Sequence, residues 1–174
     1  MQIEIVPGDI TTQDVDAVVN AASSSLLGGG GVDGAIHAAA GPELLAACRE
    51  LRRTSLPDGL PVGDAVATSA GRLRARWVIH TVGPNAHAGE TDPALLRSCF
   101  TRSLDVAAEV GARSVAVPAV SAGVYGWRAD RVAHEALDAV RGWAAARPGV
   151  VDVVRFVLFS PGVLAAFEEA AAEH

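Results

Sequence analysis

"VDAVVNAASSSLLGGGGVDGAIH", residues 15–37, runs from a continuously apolar segment through three serines and four successive glycines into a helical pattern. Residues 15–22 read as an inner β-strand and residues 33–40 as a short helix. A strand, a glycine loop and a helix in that order belong to an α/β sheet with helices packed on its faces. Gly28 to Gly31 have no side chains to cover their backbone N–H groups, and the next helix aims its positive end the same way. The loop therefore suits an anion such as a diphosphate, with no cationic side chain required. It is not a P-loop, because no Lys-Ser or Lys-Thr follows, and the spacing of a dinucleotide fingerprint is missing. A flexible connection is the plain alternative, but such a connection rarely joins a buried strand to a helix.

The same alternation extends in both directions. "QIEIV" (2–6) alternates and reads as an edge strand, and "WVIHTVG" (77–83), "SVAVPAV" (114–120) and "VVRFVLF" (153–159) read as inner strands. "DAVATSA" (64–70) is a weaker strand. Asp92 as N-cap and Pro93 after it open a helix that stops at Gly111 and sets Leu96, Cys99, Phe100, Leu104 and Ala107 on one face. A helix over 129–146 carries Val132, Ala136, Val140 and Trp143 on one stripe, and shorter helices cover 42–53 and 161–172. No linker, repeat or low-complexity segment divides the chain, so residues 1–174 are expected to form one domain.

The balance of charge narrows the function classes. The net charge is −6, and all 14 basic residues are arginines. With no basic run and no aromatic-basic stripe, general affinity for nucleic acid is not expected, and mechanisms that need a lysine amine are excluded. No apolar run is long enough to span a membrane, and "MQIEIVPGDI" is too short and too acidic for a secretory h-region, so a cytoplasmic protein is expected. Cys48 and Cys99 fall inside helices as buried small hydrophobes. The histidines at 37, 80, 87, 134 and 174 lack ligand spacing, and neither a metal nor a cofactor is expected.

Each glycine-rich or polar stretch follows a strand: "PGDIT", "NAASSSLLGGGG", "VGPNAHAGE" and "SAGVYG". Ligands of open α/β sheets collect at the carboxyl ends of the strands, so these loops are expected to share one cleft. "SAGVYG" (121–126) can face the glycine loop and close over the same diphosphate, and its Tyr125 reads equally well as a core aromatic. Asp9 in "PGDIT" can accept an exocyclic amine and Phe159 can stack on a purine. The plainer readings are a turn cap for Asp9 and a core residue for Phe159.

Taken together, "GDIT", "VDAVVNAA", "GGGGVDGAIHAAAG", "WVIHTVGP", "SVAVPAVSAGVYG" and "FVLF" resemble the macrodomain family, and "GGGGVDGAIH" resembles its MacroD-type branch. The likeness runs in order from residue 3 to about residue 170. It implies a three-layer α/β/α sandwich around a mixed sheet and a cleft for ADP-ribose. For this branch it implies hydrolysis of ADP-ribose from modified carboxylates, with ADP-ribosylated proteins as partners. Deacetylation of O-acetyl-ADP-ribose is a second chemistry for the same cleft, and a non-catalytic ADP-ribose reader is the alternative of another class.

By that resemblance Asp9 and Ile10 hold the adenine, and Phe159 stacks near it. Gly29, Gly30, Gly31 and Val32 grip the diphosphate together with Ser121, Ala122, Gly123, Val124 and Tyr125. Asn20 lines or supports the pocket of the distal ribose, Asp33 is the catalytic acid residue, and His37, one turn later, is an orienting partner. Two positions depart from the family pattern. Ser23 stands where the second Asn of "NAAN" reaches the distal ribose, and Ala122 stands where a Thr is common. Both bear on affinity and rate more than on fold. Asp33 at a helix N-terminus is favoured in its charged form, which suits it to orienting a water more than to acting as a strong base.

Overall fold

The computed structural model describes residues 1–173; His174 lies outside the described residues. In chain order its elements are β1 (Gln2–Pro7), β2 (Ala17–Ala22), α1 (Gly31–Ala40), α2 (Pro42–Arg53), β3 (Ala65–Ser69) and β4 (Trp77–Val82). Then follow α3 (Pro93–Glu109), β5 (Ser114–Val117), α4 (Ala129–Ala146), β6 (Val153–Leu158) and α5 (Pro161–Ala172). Single 3₁₀ turns cover Ile10–Thr12 and Ala86–Ala88. The strands form one sheet in the order β1-β6-β5-β2-β4-β3, parallel throughout except for β3, which runs antiparallel to β4.

The sheet separates two helical layers. On one face Val18, Val78 and Ala116 pack against Ile36, Ala40 and Leu44 of α1 and α2. On the other, Val19, Ile79, Val115 and Phe156 pack against α3, α4 and α5. Here Phe156 is the hinge of an aromatic cluster, with ring centroids 6.3 Å from Phe100 and 5.0 Å from Phe167. Such pairs add about 0.5–1.5 kcal/mol beyond their burial. Cys48 and Cys99 are buried free thiols. Among the described residues, no helix is long and apolar enough to cross a membrane.

Three boundaries differ from the sequence reading by two residues or more. β5 ends at Val117 instead of continuing to 120, because Pro118 has no N–H to offer a ladder. β2 begins at Ala17 instead of at 15, because Asp16 turns the corner: its carboxylate accepts from the N–H groups of Arg113 and Ser114. α1 begins at Gly31, two residues early. Val32 and Gly31 thus belong to the first helical turn and not to the loop.

The topology opens the cleft. β2 and β5 are neighbours, and they pair over Ala17↔Val115 and Val18↔Ala116. The chain leaves β2 toward β3 on one side and leaves β5 toward β6 on the other. This reversal is a topological switch point, where parallel sheets hold ligands beyond the strand ends. Past Ala116 the two strands separate, and their following loops face one another.

Candidate active site

Two adjoining cavities occupy this crevice. The first, about 490 Å³, is bounded by Gly8, Asp9, Ile10, Val157, Phe159 and Val163. The second, about 570 Å³, is bounded by Ser23, Gly29 to Asp33, Gly83 and Ser121 to Tyr125. Gly31, Val32, Pro118, Ala119, Ala122 and Gly123 line both. The cleft is therefore continuous, and the N-terminus of α1 lies at its middle.

That N-terminus is built by glycine. Gly30 is the N-cap and the first intrahelical bond is donated by Gly34 to its carbonyl, so the N–H groups of Gly31, Val32 and Asp33 have no intrahelical acceptor. Gly34 is a glycine for lack of room: a Cβ there would lie 2.6 Å from the Gly29 carbonyl oxygen. The loop is folded tightly against the first turn and presents its bare edge to the cleft.

Across the cleft, Ser121 is held in the left-handed region at φ 69. Its hydroxyl donates to the Pro84 carbonyl at 2.9 Å, and its own carbonyl accepts from Trp127 at 3.3 Å. Gly83 makes this possible, since a Cβ there would run into the Ser121 hydroxyl and Val120. The "VGP" after β4 is thus the seat of the "SAGVYG" turn.

Asp33 lies in the first turn of α1 and is 5% exposed, although it lines the second cavity. Its Oδ1 accepts from Asn20 Nδ2 at 2.9 Å. The same amide nitrogen lies 3.1 Å from His80 Nδ1, and His80 Nε2 lies 2.9 Å from Thr68 Oγ1. An amide N–H can only donate, so Nδ1 accepts and the ring proton sits on Nε2, which donates to Thr68. Burial, with the His37 ring adding to it, pushes the His80 imidazole down to about 3. Cys48 Sγ lies 3.7 Å from His80 Nε2, and burial, reinforced by the charge of Asp33, pushes its thiol up to about 11.

Residues 19–136 match the family model described as Macro domain. The chain belongs to the macrodomain family. It is 56% identical over 167 residues to a macro domain-containing protein of Streptomyces griseus, covering 96% of this chain and 93% of that one. It is 52% identical over 140 residues to an O-acetyl-ADP-ribose deacetylase of Citrobacter rodentium, covering 80% and 78%. The solved macrodomain of Oceanobacillus iheyensis with ADP superposes with a TM-score of 0.90 at 40% identity, covering 95% of this chain and 87% of that one. The Trypanosoma brucei macrodomain in complex with ADP-ribose gives 0.88 at 36%, covering 97% and 68%.

In this macrodomain the structure distributes the sequence candidates unevenly. Gly29 to Asp33, Ser23 and Ser121 to Tyr125 come together around the second cavity, and Asp9, Ile10 and Phe159 around the first. Asn20 is 0% exposed and lines neither cavity, so of lining and supporting the pocket only support from beneath is open to it. An inner strand fixes it under α1, where it can reach a ligand only through Asp33. His37 Nε2 stands 3.4 Å from Asp33 Oδ1 and is enclosed, but makes no aligned hydrogen bond. The bond that orients Asp33 comes from Asn20 instead.

Of the adenine-side pair, Asp9 matches its plain reading and Phe159 does not. Asp9 does cap a turn, its Oδ1 accepting from Thr11 N–H at 2.9 Å and from the Thr11 hydroxyl at 2.6 Å. These two bonds hold its carboxyl below the usual range. Oδ2 takes part in neither bond, so the cap leaves one oxygen for the cleft. Phe159 is no core residue: it is 91% exposed on the rim. Tyr125 is half-buried on the wall of the second cavity.

His80 and Thr68 were not among the sequence candidates. Their signal was a single imidazole inside the otherwise apolar strand "WVIHTV", in register with Asn20 of β2. Among the described residues, no three His, Cys, Asp or Glu side chains converge as metal ligands.

Proposed function

We propose that this macrodomain binds ADP-ribose across the α1 N-terminus and hydrolyses the bond joining its distal ribose to a protein Asp or Glu carboxylate. The observation that carries this reading is the placement of Asp33: a carboxylate on the wall of the second cavity, beside the bare N–H edge of α1 and fixed by a donor from below. The length of the cleft and its central anion edge suit a ligand with a diphosphate between two larger groups. Solved relatives hold ADP and ADP-ribose, and similarity at 36–40% identity over at least 95% of this chain supports the same ligand here.

In this arrangement Asp9 and Ile10 take the adenine, with Phe159 against its face. Gly29 to Val32 and Ser121 to Tyr125 enclose the diphosphate and the distal ribose. A water beside Asp33 attacks the anomeric carbon of that ribose. The carbon–oxygen bond to the acyl group breaks, the carboxylate departs with the electron pair, and the water's proton passes to Asp33 or a phosphate oxygen. A carboxylate leaves readily, so Asp33 mainly positions the water.

Incubation with a Glu/Asp-linked mono-ADP-ribosylated protein tests the reading. The expected result is free ADP-ribose from the wild type, and none from Asp33→Ala, which still binds ADP-ribose. A label that stays on the target with the wild type makes the domain a reader instead, and unchanged turnover by Asp33→Ala removes Asp33 from the mechanism. The name of the Citrobacter relative favours a second ester substrate, O-acetyl-ADP-ribose, which the same assay with that compound addresses.

A further inference from the structure

We propose that His80 is a positioning residue for this hydrolysis: by accepting a hydrogen bond from Asn20, its ring fixes the Asn20 amide so that the second N–H holds Asp33 at the ribose end of the cleft. The proposal rests on the reading of Asp33 given above.

Three observations carry it. The first is register. His80 is the β4 partner of Asn20 in the parallel β2–β4 ladder, so both side chains leave the sheet on the same face, beneath α1. The second is the accounting of donors and acceptors. Asn20 Nδ2 serves both Asp33 Oδ1 at 2.9 Å and His80 Nδ1 at 3.1 Å, while Asn20 Oδ1 is buried with no partner among the described residues. An orphaned buried carbonyl is costly. The amide tolerates that cost in the one orientation that gives both its protons away. Rotated by half a turn, it would set its oxygen against the Asp33 carboxylate and against the bare Nδ1 lone pair. The third is Thr68. Its hydroxyl, 2.9 Å from Nε2, accepts the ring proton that the Asn20 bond places there, so the tautomer with Nδ1 as acceptor leaves no ring proton without a partner.

The chain Thr68–His80–Asn20–Asp33 therefore transmits orientation and not a proton. The Nε2 proton faces Thr68, away from the cleft, and an amide does not relay protons at neutral pH. Burial that holds the imidazole in its uncharged form agrees with this. The remaining neighbours do not replace it: His37 approaches Asp33 from its own helix without an aligned bond, and Cys48 meets the ring only at Nε2.

The test compares His80→Phe, which keeps a ring but has no acceptor, with His80→Asn, whose Oδ1 falls near the place of Nδ1. Turnover of a Glu/Asp-linked ADP-ribosylated protein is measured beside ADP-ribose affinity by calorimetry and thermal melting. In His80→Phe, kcat is expected to fall by about 10- to 100-fold, with KM and the ADP-ribose Kd nearly unchanged. His80→Asn is expected to recover most of the lost rate. Equal losses in the two variants, or a loss that appears in Kd instead of kcat, would overturn the proposal. A second measurement stands independent of variant folding. Nitrogen NMR of the wild-type imidazoles should find His80 protonated on Nε2 and bare on Nδ1; the opposite tautomer excludes the Asn20 bond. Wild-type protein that frees no ADP-ribose sinks the Asp33 reading and this proposal together. A wild type that turns over, with His80→Phe at full kcat, sinks only the role of His80.

Discussion

Asn20 Nδ2 lies 2.9 Å from Asp33 Oδ1 in a place that solvent does not reach, and this amide, not the nearby His37 ring, orients the carboxylate. Removing it leaves Asp33 enclosed without its donor. A hydrogen bond to a charged group contributes about 1.5–3 kcal/mol, and a buried partner left unsatisfied costs a similar amount. Asn20→Ala is therefore expected to lower the unfolding free energy by about 1–3 kcal/mol and to reduce kcat more than His37→Ala does. Denaturant melts and turnover of the two variants side by side check this. A larger loss in His37→Ala would return the orienting role to the imidazole.

The glycine loop makes different predictions at two of its positions, one for stability and one for binding. A Cβ at Gly34 would lie 2.6 Å from the Gly29 backbone oxygen, whereas a Cβ at Gly30 would meet nothing within 4 Å. Gly30 has φ −96, an ordinary value for any residue. Gly34→Ala should displace the loop and cost about 1–3 kcal/mol of stability. Gly30→Ala should melt like the wild type but bind ADP-ribose more weakly, because its methyl stands on the edge that faces the diphosphate. Melting and calorimetry on both proteins separate the two effects. If Gly30→Ala bound normally, the anion edge would have to lie elsewhere.

His80 makes stability depend on pH in a defined window. Its folded value of about 3 lies below the ordinary 6.5, so below 6.5 the unfolded chain takes up a proton that the folded chain refuses. The stabilisation is whole above 6.5, and it declines as pH falls toward 3, by up to about 1.4 kcal/mol per pH unit. Carboxylates held low by partners, such as Asp9 and Asp105, add their own loss only in stronger acid. Between pH 6.5 and 5 the slope is thus a histidine property. Urea unfolding at pH 7.5 and 5.0 should show the wild type losing stability that His80→Asn keeps. Parallel losses would assign the slope to other groups.

Much of this architecture is legible in the sequence because it rests on local chemistry. Asp92 before Pro93 marks a helix start that the structure places at Pro93, and the helix expected over 161–172 starts at Pro161, where the structure adds Ser160 as its cap; both cap side chains accept from the first turn. The position of Phe159 is a different matter: an aromatic at a strand end is apolar in either setting, and only the tertiary fold places it on the rim. Asn20 illustrates the same limit. The resemblance leaves open whether it lines or supports the ribose pocket, and only strand pleat and helix packing show that it is buried. His80 and Thr68 escape a sequence reading for a third reason. Twelve residues separate them, and 60 separate His80 from Asn20, so only sheet register brings the three together.

Ser23 is, with Ala122, one of two positions where the sequence departs from the pattern of the family it resembles, and the loop around Ser23 lets that departure be reversed cleanly. The loop is held by its backbone: Leu26 N–H donates to the Ser23 carbonyl at 3.0 Å and Leu60 N–H to the Ser24 carbonyl at 2.9 Å. Arg52 Nη1 donates to the Ser25 carbonyl at 3.0 Å. The Ser23 side chain contributes only a hydroxyl contact, 3.0 Å from Ser25 Oγ. Ser23→Asn should therefore keep the loop and extend an amide, with one donor group and one acceptor, into the second cavity. One added net hydrogen bond corresponds to an affinity about 3- to 10-fold tighter. Because the distal ribose is the group addressed, the gain is expected for ADP-ribose and not for ADP, which ends at the diphosphate. Calorimetry with both ligands on both proteins decides it: an equal gain for ADP, or none for ADP-ribose, places Ser23 away from the ribose.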